Sequence, residues 1–264
     1  MDILKKDKPI ENDKIDKKNV IEAYIQENMP FIYYSDVYKQ NIMCYRDLVY
    51  KNITLNNNLW EKNICDLMCN YFIDNTDILD IGSNIGLNSL GFKLSLKNKK
   101  INKIHCFECE NSVFNCLKFN VENHKDICIY NVGLSDSYNL VNININKKNR
   151  GCNTITNINN IKNEKLNYYF LNDNYETNTN YFVPVVPLDD YMHLFENKVS
   201  LIKIDIEGFE LFMLRGSKNF LNKHKPVIII EVIEENKYEV IDLLHSYEYK
   251  LLKHIDNENY IFIP

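Results

Sequence analysis

The stretch over residues 78–87 constrains the fold of this chain more than any other part of its sequence. A short apolar run ends at Asp80, and a tight turn rich in Gly and Asn follows it. A helical pattern of apolar residues then begins at Leu87 and continues to Leu96. A strand, a turn and a helix in this order form the first unit of a nucleotide-binding type of α/β sheet. The fold class predicted for the chain is therefore α/β.

The residue types in this turn suit the approach of a ligand. Gly82 and Gly86 let the backbone turn sharply and leave room for a ligand beside the main chain. Ser83 and Asn84 lie between them, and Asn tolerates the left-handed conformation that such turns often need. Asp80 stands at the carboxyl end of the predicted strand, where its carboxylate can accept a hydrogen bond from a ligand ammonium or hydroxyl group.

The spacing of the glycines distinguishes between classes of ligand. A dinucleotide fingerprint needs Gly-x-Gly-x-x-Gly, but Asn84 stands at the second of these glycine positions and Leu87 at the third. The sequence also lacks the Gly-x-x-x-x-Gly-Lys-Ser/Thr pattern of a P-loop. An acid two residues before the first Gly, as in Asp-x-Gly-x-Asn-x-Gly, resembles motif I of class I methyltransferases that use S-adenosylmethionine. The alternative is an ordinary strand-to-helix turn.

Length, composition and charge bound the class of protein. The chain has 264 residues, of which 45% are hydrophobic, and this suits one α/β domain of upper-normal size. A net charge of -5 argues against general nucleic-acid binding, although it allows a local basic patch. Asn, Ile and Lys are used heavily, which suggests an AT-rich coding genome such as that of a parasite, a bacterium or a large virus.

The cysteines and the absence of long apolar runs bear on the compartment. We find no secretory signal and no run long enough for a membrane span. The 8 cysteines are scattered, and the close pairs Cys65/Cys69 and Cys106/Cys109 have no second pair at zinc spacing. Reduced thiols in the cytoplasm are therefore expected, or in the host cytoplasm if the chain is viral.

The chain is predicted to have three parts. Residues 1–18 are mixed in charge and poor in large apolar groups, and are expected to form a mobile tail. Residues 19–58 are expected to form a helix and short strands that pack on the core. Residues 59–264 form the main domain, which begins with a helix over residues 59–72 capped by Asn58. Within it, the Asn-rich residues 138–182 are expected to form an insertion near the site.

Two further strand ends carry acidic residues. Glu108 lies near the end of the predicted second strand, where this architecture binds the ribose hydroxyls of a nucleoside. The alternative is a surface carboxylate. A third strand over residues 127–132 is followed by a predicted turn over residues 133–136 at the ligand edge of the sheet.

The apolar stretch over residues 201–208 contains three charges at alternate positions, Lys203, Asp205 and Glu207. In a strand, these side chains would share one face. Charges on a buried face are costly unless they are paired or used in function. The alternative to a functional role is a network of Lys and carboxylates that only ties loops together.

Together, these stretches resemble the FkbM family of S-adenosylmethionine-dependent methyltransferases, over about residues 60–232. One departure is Cys109, since the family usually has Pro after the acid of Phe-Glu. The resemblance rests on the following pieces: Trp60-Glu61, Asp-Ile-Gly-Ser-Asn-Ile-Gly at 80–86, Phe107-Glu108, Val-Gly-Leu-Ser-Asp at 132–136, Pro-Leu-Asp-Asp at 187–190, Lys-Ile-Asp-Ile-Glu-Gly-Phe-Glu at 203–210 and Ile-Ile-Glu-Val at 229–232.

The resemblance implies a class I methyltransferase fold of the Rossmann-like type, with a seven-stranded, mostly parallel sheet, helices on both faces and an antiparallel last strand. It implies S-adenosylmethionine as the cofactor and O-methylation of a hydroxyl on a sugar, glycan or other small molecule. The implied cofactor-binding residues are Glu61, Asp80, Gly82, Ser83, Asn84, Gly86, Glu108, Leu134 and Ser135. The implied catalytic residues are Lys203, Asp205 and Glu207.

Several alternatives stay open from the sequence. Asp205 can act as the base for the acceptor hydroxyl, or Asp205 and Glu207 can bind a divalent cation that activates it, although a metal is not expected. A cofactor-binding scaffold without turnover is a rival function, and an NAD-dependent oxidoreductase is a weaker one. The sequence fixes neither the acceptor nor the oligomeric state.

Overall fold

The computed structural model describes residues 22, 25, 28–156 and 181–264. The predicted tail over residues 1–18 and residues 157–180 of the predicted insertion lie outside this part of the chain. The strands are β1 (Phe31–Ser35), β2 (Gln40–Cys44), β3 (Thr76–Ile81), β4 (Ile101–Phe107), β5 (Ile127–Tyr130), β6 (Gly133–Leu134), β7 (Asn139–Asn144), β8 (Thr154–Thr156), β9 (Phe182–Val186), β10 (Val199–Ile204), β11 (Val227–Glu231), β12 (Lys250–His254) and β13 (Asn259–Ile263).

Seven α-helices lie wholly within the described residues, with three short 3-10 helices, and residues 22, 25 and 28 are also helical. The α-helices are α1 (Leu48–Asn56), α2 (Lys62–Tyr71), α3 (Leu87–Ser95), α4 (Asn111–Val121), α5 (Glu210–Arg215), α6 (Lys218–His224) and α7 (Lys237–Ser246), and the 3-10 helices are Arg150–Cys152, Leu188–Leu194 and Glu234–Asn236. Of the helices in the described residues, none is long and apolar enough to cross a lipid bilayer.

The central sheet has seven strands in the order β12-β13-β11-β10-β3-β4-β5. The strands β3, β4, β5, β10 and β11 run parallel to one another, whereas β13 is antiparallel to both of its neighbours, β11 and β12. The predicted seven-stranded, mostly parallel sheet with an antiparallel last strand is confirmed.

The sheet separates two hydrophobic cores. Neighbouring residues of β3 point to opposite faces, so Ile78 packs in one core and Leu79 in the other. Every residue of β3 and β10 is buried, although both strands contain polar residues as well as apolar ones. The parallel register puts two of these buried polar residues, Asp80 and Lys203, side by side.

The segment before the main domain packs on the first of these cores. Strands β1 and β2 form an antiparallel hairpin, and the buried side chains Ile42 and Val49 join the core that contains Ile78. The Asn120 side chain of α4 accepts a hydrogen bond from Met43 N (2.7 Å) and donates one to Met43 O (3.0 Å). The segment is therefore docked on the main domain by both apolar contacts and backbone hydrogen bonds.

A second sheet, in the order β6-β9-β7-β8, lies beside the strand ends of the main sheet. Residues 133–134, which were predicted to lie in a turn, form β6 and pair with β9. Strands β7 and β8 are antiparallel, and residues 145–153 connect them. This connection reaches over the carboxyl edge of the central sheet.

Candidate active site

The predicted turn after β3 adopts left-handed backbone at three positions, with φ of +78° at Gly82, +49° at Asn84 and +86° at Gly86. The N–H groups of Gly82 and Ser83 both donate to the carbonyl of Phe107, at 3.0 Å each. These bonds fix the turn to the end of β4.

The absence of a side chain at Gly82 makes room for another part of the backbone, not for a ligand alone. A Cβ atom there would lie 1.8 Å from the carbonyl oxygen of Asp205, so only Gly allows the chain after β10 to cross the turn. At Gly86, a Cβ atom would lie 2.7 Å from Cδ1 of Leu117. A larger residue at 86 would strain the fold as well as the cleft, and therefore cannot isolate an effect on a ligand.

A cleft opens at the carboxyl edge of the sheet, next to β3. The strand order reverses there, since β3 lies between β4 and β10, and open α/β sheets bind ligands at such a point. The cleft has two arms that share five lining residues, Gly82, Asn84, Gly151, Asp205 and Glu207. We call them the β4 arm, lined by Phe107, Glu108, Leu134 and Ile155 among others, and the acidic arm, lined by Trp60, Glu61, Asn88, Cys152 and Glu231 among others.

Glu108 lies in the β4 arm, directly after β4. Its carboxylate accepts hydrogen bonds from Asn84 N (3.1 Å) and Glu110 N (2.8 Å). Burial raises the pKa of Glu108 to about 7, although these backbone bonds oppose the shift. Each carboxylate oxygen can accept two hydrogen bonds, so the group keeps capacity for a ligand diol.

Lys203 is at the centre of the charged part of the site, although its side chain is only 2% exposed. Its Nζ lies 2.8 Å from Oδ2 of Asp205 and 3.3 Å from Oε2 of Glu61. Burial alone would lower the pKa of Lys203, but the carboxylates of Asp205, Glu61 and Asp80 raise it well above its usual range. Lys203 is therefore a fixed buried cation.

Lys203, Asp205 and Glu207 were predicted to share one face of a strand, but only Lys203 lies in the strand. Strand β10 ends at Ile204, so Asp205 and Glu207 lie in the following turn, where Glu207 has a φ of +53°. Asp205 still meets Lys203 through the 2.8 Å contact. Glu207 instead takes a hydrogen bond from the thiol of Cys152. Burial and the neighbouring Asp205 both raise the pKa of Glu207.

Glu61 reaches the site because of an unusual helix start. The predicted helix begins at Lys62, later than expected, and Asn58 bonds the N–H of its neighbour Leu59 instead of capping the helix. Glu61 precedes the helix with a φ of +44° and makes no capping bond with its side chain. Its carboxylate is thus free to accept from Asn88 Nδ2 at 2.7 Å as well as from Lys203.

Two residues implied for the cofactor lie behind the wall of the cleft. Asp80 is fully buried, and its Oδ2 accepts a 2.5 Å hydrogen bond from the Ser89 hydroxyl. Burial raises the pKa of Asp80. Ser135 is also buried, and its carbonyl lies against Gly216. Neither is among the described residues that line the two arms.

Glu231, at the end of β11, was missed as a site residue by sequence reasoning. It lines the acidic arm, and burial together with Asp205 and Glu207 raises its pKa. The sequence shows an acid at a strand end, but only the register places it: Ile204 pairs with Ile230, so an acid one residue later on β11 falls beside Asp205. Carboxylate oxygens of Glu61, Asp205 and Glu231 lie within 4.8 Å of one another, so among the described residues these three could hold a cation. Glu207, which the sequence offered beside Asp205 as a possible cation ligand, is not a member of this group of three.

The central sheet and the cleft at its switch point define the class I methyltransferase fold. A model of the methyltransferase FkbM domain matches residues 80–251, more than half of the 264-residue chain. The chain belongs to the FkbM methyltransferase family.

Solved structures with a similar fold include the methyltransferase FkbM from Methylobacillus flagellatus KT, at 18% identity and a TM-score of 0.50, covering 73% of this chain and 44% of that one. The chain thus spans less than half the length of that relative. Aeropyrum pernix fibrillarin, solved with natively bound S-adenosyl-L-methionine, matches at 13% identity and a TM-score of 0.42, covering 76% of this chain and 73% of that one. No curated protein sequence matches at a comparable level of significance.

Proposed function

We propose that this protein is an S-adenosylmethionine-dependent methyltransferase that methylates a hydroxyl group of a sugar, a glycan or another small molecule. The observation that carries the proposal is the two-armed cleft at the switch point of the sheet, with a carboxylate from β4 in one arm and the Lys203–Asp205 pair where the arms meet. Membership of the FkbM methyltransferase family supports methyl transfer as the reaction.

The β4 arm is the proposed place of the nucleoside part of the cofactor. Glu108 would accept hydrogen bonds from the ribose hydroxyls, and Leu134 and Phe107 would cover the base with apolar surface. The methionine part would lie along the turn from Gly82 to Gly86, towards Glu61. Asp80 would act on the site indirectly, from behind this turn. Its buried carboxylate lies beside Lys203 in the register of the two strands and helps to keep that lysine charged.

The point where the arms meet is the proposed place of reaction. When bound, the cofactor supplies a methyl group on a sulfonium, and the sulfur is the leaving group of an in-line displacement at the methyl carbon. Lys203 bonds Oδ2 of Asp205, and no described residue donates to Oδ1, so this oxygen can accept the proton of an acceptor hydroxyl. Glu207 and Glu231 line the route from Asp205 into the acidic arm, through which the proton can leave.

A methyl-acceptor screen tests this proposal. The protein is incubated with methyl-labelled S-adenosylmethionine and a panel of sugars, glycans and small hydroxylated metabolites, and labelled products are identified by mass spectrometry. We expect label on a hydroxyl oxygen of at least one acceptor class, and loss of that product in Asp205→Asn. Transfer only to nitrogen would contradict the acceptor chemistry, and cofactor binding without transfer to any acceptor would favour a scaffold.

A further inference from the structure

The residues that cover the cleft come from the connection between β7 and β8. Residues 149–153, which we call the strap, all line one arm or the other, and Gly151 lines both. The strap lies close to the turn after β3, since a Cβ atom at Gly151 would be 3.2 Å from the side-chain nitrogen of Asn84. The strap is therefore the outer wall of the cleft, opposite the turn.

One buried cation ties the strap to the segment before the main domain. Arg150 is only 7% exposed, and its guanidinium carbon lies 3.7 Å from the centre of the Tyr45 ring. Its backbone N–H donates to Oδ2 of Asp47 at 3.2 Å. The other oxygen of Asp47 accepts from Tyr50 N and so caps α1. One carboxylate thus joins the start of α1 to the strap.

Backbone contacts reinforce this attachment. Leu48 N donates to the carbonyl of Lys148 at 3.0 Å, immediately before the strap. Within the connection, Asn149 Oδ1 accepts from Gly151 N and Asn153 Oδ1 accepts from Asn146 N. The connection therefore has its own internal bonds, but its position over the cleft depends on the contacts with Tyr45, Asp47 and Leu48.

We propose that Arg150 is a positioning residue, whose guanidinium packs on Tyr45 and, together with the backbone bond to Asp47, holds the strap over the turn after β3 and so shapes the cofactor cleft. The role in cofactor binding rests on the proposed function. Tyr45 and Asp47 lie before residues 80–251, which the family model matches, so the anchor is supplied by the chain outside that match. Burial strengthens the attraction between a guanidinium and an aromatic ring, because little water competes for the cation.

Hydrogen exchange of the ligand-free protein, followed by mass spectrometry, tests the anchor without any cofactor. Arg150→Ala should raise the exchange rate of peptides that cover residues 145–156, while the central sheet keeps its protection. Arg150→Lys keeps the charge and should restore much of the protection. Arg46→Ala is the matched control, since Arg46 is exposed and its guanidinium stacks on Phe31 at 4.0 Å, outside the cleft. Unchanged exchange of the strap in Arg150→Ala would overturn the proposal.

Calorimetry with S-adenosylmethionine then tests what the strap does. Arg150→Ala should weaken binding about tenfold, Arg150→Lys less, and Arg46→Ala not at all. A native affinity in an Arg150→Ala variant whose strap exchanges faster would overturn the role in the cleft. If the native protein fails to bind S-adenosylmethionine, the proposed function fails, whereas the exchange experiment still decides whether Arg150 anchors the strap.

Discussion

The two arms of the cleft are built in different ways. In the β4 arm, backbone groups set the geometry: Phe107 O accepts from Gly82 and Ser83, and Glu108 accepts from Asn84 and Glu110. In the acidic arm, side-chain charges set it, because Lys203 is the buried cation for several carboxylates.

This difference predicts different responses to substitution. A backbone-built arm tolerates the loss of one side chain and loses affinity only for the group that side chain holds. A charge-built arm responds as a unit, since removing one member leaves the others buried without a partner. Substitutions in the two arms and in the strap therefore test this contrast.

The largest effect is expected on stability, for Lys203→Met. The substitution leaves Asp205, Glu61 and Asp80 without their buried cation, which should lower the free energy of unfolding by about 3–5 kcal/mol. Urea unfolding measures it. Lys225→Met is the matched control: Lys225 pairs with the exposed Glu248 at 3.4 Å, and such a pair contributes about 1 kcal/mol or less. Equal losses in the two variants would show that the Lys203 cluster is not a unit.

The next effect is expected on turnover, for Asp205→Asn. Loss of the base should reduce the rate of methyl transfer by about 10²-fold or more, with the affinity for the cofactor kept. Treatment of the native protein with EDTA should leave the rate unchanged if Asp205 acts directly. Loss of activity with EDTA and recovery with Mg²⁺ would instead assign Glu61, Asp205 and Glu231 to a cation.

A smaller effect is expected on the pH dependence of stability, through Glu108. Its pKa is raised from 4.5 to about 7 in the folded protein, so between these values the folded state binds more protons than the unfolded state. The stability that Glu108 contributes is therefore present below pH 4.5 and is lost as the pH rises through 7. When the pH is raised from 5 to 8, the free energy of unfolding should fall in the native protein by about 1–3 kcal/mol more than in Glu108→Gln, which has no titrating group at this position. Parallel pH profiles would contradict this.

The smallest effect is expected from Gly151→Ala in the strap. The added Cβ would meet Asn84 Nδ2 at 3.2 Å and Asn149 Oδ1 at 3.1 Å, which are side-chain atoms that can shift slightly. We expect a loss of cofactor affinity of a few-fold, about 1 kcal/mol or less, with an unchanged melting temperature. A lower melting temperature together with the native affinity would mean that the strap matters for folding rather than for the cleft.

The contrast between the arms also explains what the sequence could predict. The turn after β3 and the acid after β4 follow from local patterns, namely a Gly-rich turn and a strand end, and both lie where expected. The acidic arm depends on lateral register: Glu231 meets Asp205 only because Ile204 pairs with Ile230. The strap depends on contacts between residues about 100 positions apart, such as Arg150 with Asp47. A single sequence carries no local signal for such contacts.

Distant parts of the chain also explain two differences between the predicted and the observed local structure. Alternation along a strand predicted one face for Lys203, Asp205 and Glu207, but the strand ends at Ile204 because the following chain must cross Gly82. The residues that follow the third strand were predicted as a turn, but residues 133–134 pair with β9, about 50 residues later. In both cases, a distant part of the chain decides the local conformation.

We propose that the β4 arm binds the cofactor while the Lys203–Asp205 pair serves the reaction. Titration calorimetry of S-adenosylmethionine into Glu108→Ala and Asp205→Asn, both checked for folding, tests it most directly. Glu108→Ala loses a charge-assisted hydrogen bond and should bind S-adenosylmethionine about tenfold or more weakly than the native protein. Asp205→Asn should bind S-adenosylmethionine with the native affinity. Native affinity in Glu108→Ala, together with weakened binding in Asp205→Asn, would contradict the division of the cleft.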